Sequence, residues 1–320
     1  MTDRLTYAME AGGLSLPDGP IALFDAPGDA GALPGARVIS TFRPDFEAWQ
    51  RRGVPVSETA SGPYAAAIVT LGRDRTRNES RIAEAARVAP EGLVVVDGAK
   101  TDGIESILKV VKKTVPVLGQ VSKAHGKCLW FEADAALQAL AKPERTQNAA
   151  GFWTAPGVFS ADKPDPGSVA LAGALPALKG TVGDLGAGWG WLSAQILQQD
   201  AIKALHLVEA EKLALDCAQV NITDPRAKFH WADATRWMSP ALLDVVVMNP
   251  PFHAGRKGDP SLGQAFIAAA ARNLAPGGKL YMVANRHLPY EQTLAECFRD
   301  HAEIEGTSAF KILTASRPKR

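Results

Sequence analysis

Short apolar runs alternate along this chain with stretches in which apolar residues recur every three or four positions, and the rhythm is cleanest in the second half. There, 181–186, 204–209, 229–233, 244–248 and 279–285 read as buried strands, because β-branched and aliphatic residues suit a sheet covered on both faces. Between them, 191–199, 212–220, 262–274 and 292–298 carry helical periodicity. Pro276-Gly277-Gly278 closes the Ala-rich third helix, since neither residue type continues one. Ile304, Phe310, Ile312 and Leu313 suit a terminal strand pair.

The first half repeats the alternation less crisply. Residues 20–28 form a short strand ending in a loop, and 37–40, 65–71 and 92–98 are further strands. The 77–88 segment predicts a helix with Ile82, Ala85, Ala86 and Val88 on its apolar face and Pro90 beyond its end. Thr101 or Asp102 can cap a second helix running to about 113. Strands alternating with helices predict a doubly wound α/β unit in each half, hence two tandem Rossmann-like domains at 1–145 and 146–320. Residues 141–167, rich in Pro, Gly and polar side chains, read as a linker. Phe152, Trp153, Val158 and Phe159 within it predict a packed junction and not a free tether.

Composition changes this picture little. Charged residues are 22% and hydrophobic residues 46% of 320, ordinary for a globular chain. With 35 Lys+Arg against 34 Asp+Glu, there is no global field to hold an anionic partner, so any such contact must be a local patch. No apolar run approaches the roughly 18 residues that span a bilayer. The start of the chain lacks the basic-then-apolar pattern of a secretory signal. Cys128, Cys217 and Cys297 are scattered and odd in number, which suits a reducing cytoplasm and predicts no metal site.

The candidate chemistry begins at Asn249-Pro250-Pro251-Phe252. Two prolines remove two backbone donors and forbid continuation of the 244–248 strand. Ligands of open α/β sheets sit at such carboxyl ends. An amide, free carbonyls and an aromatic ring held together there form a site for a flat group bearing NH2. The Asn249 side-chain oxygen and the Pro250 carbonyl accept from that amine, and Phe252 stacks on its ring.

Asp184-Leu185-Gly186-Ala187-Gly188-Trp189-Gly190 lies at an earlier strand-to-helix turn, where glycines let a ligand approach the backbone. The spacing lacks the third glycine position of the dinucleotide fingerprint. A carboxylate beside the loop repels a pyrophosphate but attracts an ammonium or sulfonium group. Glu209, about 19 residues on, stands where an acid accepts ribose hydroxyls. Asp233 ends the next strand, placed for an adenine amino group. Three acids at three successive strand ends make the pattern of a class I S-adenosylmethionine (SAM)-dependent methyltransferase. The first half has neither this loop nor an Asn-Pro-Pro turn, so it is expected to be degenerate.

Asn249-Pro250-Pro251-Phe252-His253, the 283–290 segment Val-Ala-Asn-Arg-His-Leu-Pro-Tyr, Phe310-Lys311-Ile312 and Gly157-Val158-Phe159-Ser160 together resemble the RsmC-type ribosomal RNA guanine-N2 methyltransferases. The resemblance covers about residues 150–320. It implies methyl transfer from SAM to a guanine N2 in ribosomal RNA, most specifically 16S rRNA of the small subunit. It implies that Asp184, Gly186, Gly188, Glu209, Asp233 and Asn249 hold SAM, and that Asn249, Pro250 and Phe252 act on the guanine. His253, Asn285 and Tyr290 would line the same pocket, with Arg256 and Lys257 near the RNA phosphates. It also implies a first half that supports folding and contacts RNA. Arg286-His287 departs from the smaller or apolar residues usual at that place.

Arg73, Arg75, Arg77 and Arg81 suit a phosphate-contacting surface or, equally, a face paired with Asp74, Glu79 and Glu84. Lys109, Lys112, Lys113, Lys123 and Lys127 carry the same two readings. His125, His206 and His230 read as isolated structural residues, and Trp189 and Trp191 as core. Rival functions are methylation of a large-subunit guanine, of adenine or of a protein glutamine amide, or a non-catalytic RNA-binding assembly role. A monomer is expected.

Overall fold

The computed structural model describes residues 2–251 and 260–319; Phe252, His253, Arg256 and Lys257 lie outside the described residues. The contacts divide the chain into two compact units, Met1–Glu144 and Arg145–Arg320.

In the first unit the elements run α1 (Asp3–Glu10), β1 (Ile21–Phe24), β2 (Ala36–Ile39), α2 (Arg43–Arg51), β3 (Val56–Ser57), β4 (Ala66–Thr70), α3 (Arg75–Val88), β5 (Leu93–Ala99), α4 (Ile104–Thr114), β6 (Gly119–Lys123) and β7 (Gly126–Glu132). The sheet order is β3-β2-β1-β4-β5-β7-β6, with β7 antiparallel to β5. All four residues of β1 are buried, as expected of a central strand flanked by helices on both faces.

The second unit runs β8 (Thr146–Gln147), β9 (Trp153–Thr154), α5 (Pro166–Ala174), β10 (Gly180–Leu185), α6 (Trp191–Ile196), β11 (Ile202–Glu209), α7 (Lys212–Asn221), β12 (Ala227–Trp231), β13 (Leu243–Met248), α8 (Pro260–Asn273), β14 (Leu274–Asn285), α9 (Tyr290–Cys297), β15 (Phe298–Gly306) and β16 (Phe310–Pro318). Its sheet order, β12-β11-β10-β13-β14-β16-β15, repeats that of the first unit strand for strand. Two Rossmann-like α/β sheets in tandem are therefore the architecture. In β13, Val246, Val247 and Met248 are fully buried, each such side chain contributing roughly 1.5–3 kcal/mol.

Several local expectations change. Helices α1, α2 and α5 are not visible in the periodicity, each for a physical reason. α1 and α2 are short, at eight and nine residues, while α5 (PGSVALAGA) has no polar stripe to mark a face. Gly103, at φ +80, and neither Thr101 nor Asp102, is the N-cap of α4; Asp102 instead accepts from the Ala99 amide. The Pro276-Gly277-Gly278 segment lies inside β14, where the pairing with β13 shifts register. Residues of the supposed linker belong to the second unit: Val158 packs with Trp189 and Cys217, and the Phe152 and Trp189 rings sit 5.4 Å apart.

In the first unit, two of the four arginines, Arg77 and Arg81, are committed to one carboxylate. Arg81 Nε and Arg77 Nη2 reach the Asp25 carboxylate at 3.0 and 3.2 Å, and Arg77 also donates to Thr41 Oγ1. Burial alone would raise the Asp25 carboxyl, but Arg81 and Arg77 hold it below its usual range. Arg75 pairs with Glu79. Asp25, at φ +52 just after β1, occupies the place that Gly186 holds after β10. By the same register Thr70 stands where Asn249 stands. An ion cluster thus stands at the carboxyl end of β1, beside a cavity lined by Ala26, Pro27, Thr70 and Asp97.

Candidate active site

The turn from β10 to α6 carries three left-handed glycines, Gly186 (φ +78), Gly188 (φ +56) and Gly190 (φ +87). Two are also crowded. A Cβ on Gly190 would lie 2.8 Å from Ile222 Cδ1, and one on Gly186 3.3 Å from the Phe266 ring. Glu209, at the end of β11, clamps this turn: Oε2 accepts from the Gly188 amide and Oε1 from the Glu211 amide, each at 2.8 Å. Burial raises the Glu209 carboxyl, and those two backbone donors oppose the rise.

Asp184 is 1% exposed, and its Oδ2 accepts from Ser193 Oγ of α6 at 2.7 Å. Burial pushes its carboxyl up to about 7, the Ser193 bond opposing and the neighbouring Glu209 charge adding to the effect. Among the described residues neither carboxylate has a Lys or Arg partner. Paired burial without a counter-cation is costly, so the site favours a cationic ligand.

Asn249 follows β13 directly. Its Nδ2 donates to Asp165 Oδ2 at 2.8 Å and to Ser168 Oγ at 2.9 Å. With both amide hydrogens committed, the carbonyl oxygen is left to accept. Pro250 is buried beside it and Pro251 is exposed. Asp184, Gly186, Gly188 and Asn249 are brought together around one cleft. Phe159, Asp165, Ser168 and Trp189 complete its wall.

Other predicted site residues fall elsewhere. Asp233 lies two residues beyond β12, where Oδ1 accepts from the amide and hydroxyl of Thr235, an Asx turn that shapes the loop. Asn285 closes β14, paired with Phe310. Tyr290 is fully buried: its place on the inner face of α9 puts the hydroxyl over Gly263 of α8, where a Cβ would come within 2.0 Å. It packs in the core cluster of this unit, since α9 starts at Tyr290 and turns that ring inward. Arg286 binds Glu303 and the carbonyls of Thr307 and Phe310, bracing the β15–β16 hairpin. His206 and His230 are not isolated. Their rings stack with Nδ1 and Nε2 2.9 Å apart, and burial lowers both.

Sequence reasoning missed Asp165, Ser168 and Ser193. Asp-Pro-x-Ser is a legible N-cap with proline at the first helical position, but its link to Asn249, 84 positions away, is tertiary. Ser193 carries no sequence signal beyond its place in a helix.

Uncompensated carboxylates beside a glycine turn call for a cationic ligand, and an amide oxygen at the neighbouring strand end calls for an amine. On this sheet, the two demands put the chain among the SAM-dependent methyltransferases. The model of the methyltransferase small domain matches residues 149–314. The ribosomal RNA small subunit methyltransferase C of Klebsiella pneumoniae is 33% identical over 68% of this chain and 66% of its own, and that of Shewanella halifaxensis 30% identical over 71% and 70%. The solved T. thermophilus 16S rRNA N2 G1207 methyltransferase (RsmC), in complex with AdoMet and guanosine, superposes with a TM-score of 0.80, at 26% identity, over 95% of this chain and 90% of that one. The chain belongs to the methyltransferase small-domain family, and within it to the RsmC-type enzymes.

Proposed function

We propose that this enzyme transfers a methyl group from SAM to the exocyclic N2 of a guanine in 16S rRNA of the small ribosomal subunit. The observation that carries the reading is the Asn249 amide, whose nitrogen is bound by Asp165 and Ser168 and whose oxygen remains to accept from an amine. The RsmC-type relatives support guanine and 16S rRNA as the substrate class.

The residues fit a cationic cofactor: Asp184, Gly186 and Gly188 border the cleft, with Glu209 holding the turn from behind. SAM when bound supplies an electrophilic methyl on a sulfonium. Asp184 offsets positive charge, and the glycine turn lets the ligand lie against the backbone. Asp233, through the carboxylate oxygen that the Asx turn does not use, is assigned to the adenine end. Asn249 and the Pro250 carbonyl accept from the two N2 hydrogens, turning the nitrogen lone pair toward the methyl. Phe252 and His253 are assigned to the guanine ring, Arg256 and Lys257 to the RNA backbone. Asn285 is assigned to the rim of the pocket.

The first unit is assigned a supporting role without a cofactor: it lacks the glycine turn and the Asn-Pro-Pro strand end, and Asp25, paired with Arg77 and Arg81, stands in the place of Gly186. Lys109, Lys112 and Lys113 form a basic ridge on the exposed face of α4, one helical face suited to phosphates. A cytoplasmic monomer is the working form; among the described residues no helix is long and apolar enough to cross a membrane.

Labelled SAM incubated with undermethylated small subunits, naked 16S rRNA, DNA and a protein glutamine substrate tests the reading. Label is expected in 16S rRNA at guanine N2; label confined to DNA or protein refutes it. Asn249→Ala is expected to lose about 100-fold or more in turnover, the scale of one oriented transition-state contact, while calorimetry finds SAM binding retained.

A further inference from the structure

We infer that the N-terminus of α5, through Asp165 and Ser168, sets which end of the Asn249 amide meets the target amine. This rests on the role proposed above for Asn249. The two ends of a side-chain amide are nearly equal in size and opposite in sense, the oxygen accepting and the nitrogen donating. An amine offers donors. A flipped Asn249 would present donor to donor, and the site would hold its substrate without orienting it.

Nothing in β13 itself prevents that flip; the neighbouring helix does. Asp165 is the N-cap of α5, and its Oδ2 accepts from the Ser168 backbone amide at 3.0 Å. A backbone N–H can only donate, so the cap requires an acceptor at that place. The same Oδ2 accepts from Asn249 Nδ2 at 2.8 Å, and Ser168 Oγ takes the other amide hydrogen at 2.9 Å. Helix amide, carboxylate oxygen and side-chain amide form a relay in which each member dictates the next. Pro166 at the first helical turn has no N–H to draw the carboxylate away. Gly167 lets the relay sit close to the sheet: a Cβ there would stand 3.0 Å from Asp165 Oδ2 and 3.5 Å from Val283. Asp165 and Ser168 are positioning residues, acting through Asn249.

The test measures single-turnover methyl transfer to 16S rRNA, SAM affinity by calorimetry and the melting temperature in the full-length enzyme. Asp165→Ser keeps a capping oxygen but is an atom too short to reach Asn249; Ser168→Ala keeps the backbone amide and removes the second acceptor. Each is expected to slow transfer by about 10- to 100-fold, the factor that one hydrogen bond to a charged or oriented group supports, a loss larger than any change in SAM affinity. Asp165→Asn, whose oxygen the Ser168 amide holds in place, is expected to restore most of the rate that Asp165→Ser loses. In an Asn249→Ala background, Asp165→Ser is expected to add little.

Loss of SAM affinity in Asp165→Asn overturns the inference by making the charge a cofactor contact. Wild-type rates in both Asp165→Ser and Ser168→Ala overturn it too, as does an undiminished effect in the Asn249→Ala background. Failure of the underlying reading looks different: Asn249→Ala itself then transfers at the wild-type rate. Should Asp165→Ser fail to fold, Ser168→Ala decides.

Discussion

Asp184 is the residue whose protonation matters most near neutral pH. Its folded carboxyl titrates near 7 against an ordinary 3.8, so the folded protein holds that proton more tightly than the unfolded chain does. Its stabilising contribution is therefore present below about pH 4 and lost as the pH rises through 7. A cation in the cleft recovers the ionised form. SAM affinity is expected to rise about tenfold between pH 6 and pH 8, following the ionised fraction, and to be flat with pH in Asp184→Asn. Titration calorimetry across that range checks it; a pH-independent wild-type affinity separates Asp184 from the ligand. The carboxylate was legible at the strand end, but its raised value was not, since it arises from burial under α6. Asn249 shows the same division. The prolines beside it announce a strand end, whereas the direction of its amide depends on Asp165 and Ser168 of another element.

At the scale of elements, the turn between β10 and α6 joins two requirements, a left-handed backbone and the absence of a Cβ. Gly190→Ala meets both penalties, φ +87 and a 2.8 Å approach to Ile222 Cδ1. It is expected to destabilise the second unit by about 1–3 kcal/mol, read as an earlier urea transition, and to weaken SAM binding through the displaced Gly188 amide. Gly188→Ala, which meets nothing within 4 Å, carries the backbone penalty alone. The strands of this unit were readable because each is a compact run of aliphatic residues bounded by glycine, proline or acid. Helix α5 was not, because a helix covered on most sides has no polar face, and Gly157 to Gly167 reads as loop chemistry. The burial of Tyr290 was hidden for the opposite reason. A motif position cannot tell an inward face from a cleft-facing one until the packing of α8 on α9 is known.

Across the whole molecule, two sheets share one strand order while only the second keeps the glycine turn and the Asn-Pro-Pro strand end. In the first, Asp25→Ala removes the carboxylate that Arg77 and Arg81 share and leaves Arg81 with Glu84 beside it. It is expected to cost about 3–5 kcal/mol in a denaturant melt of that unit, with transfer chemistry unaffected at temperatures where the unit stays folded. The Lys109, Lys112 and Lys113 ridge of α4 predicts a different phenotype. Replacing all three by Glu is expected to weaken RNA binding and to flatten the log Kd against log salt plot by roughly 2 units, with SAM affinity and melting temperature unchanged. An unaltered salt slope removes the ridge from the RNA surface.

The sequence by itself determined the alternation of strands and helices, the duplication, the glycine turn and the amine-binding strand end. All of these are local in the chain, set by side-chain period and by the backbone rules of glycine and proline. Only the tertiary structure decided that Arg77 and Arg81 share Asp25, that Glu209 clamps the turn, that Tyr290 is core and that Asp165 orients Asn249. Each depends on contact between residues far apart in sequence, where charge and hydrogen-bonding sense are resolved by which neighbour the fold supplies.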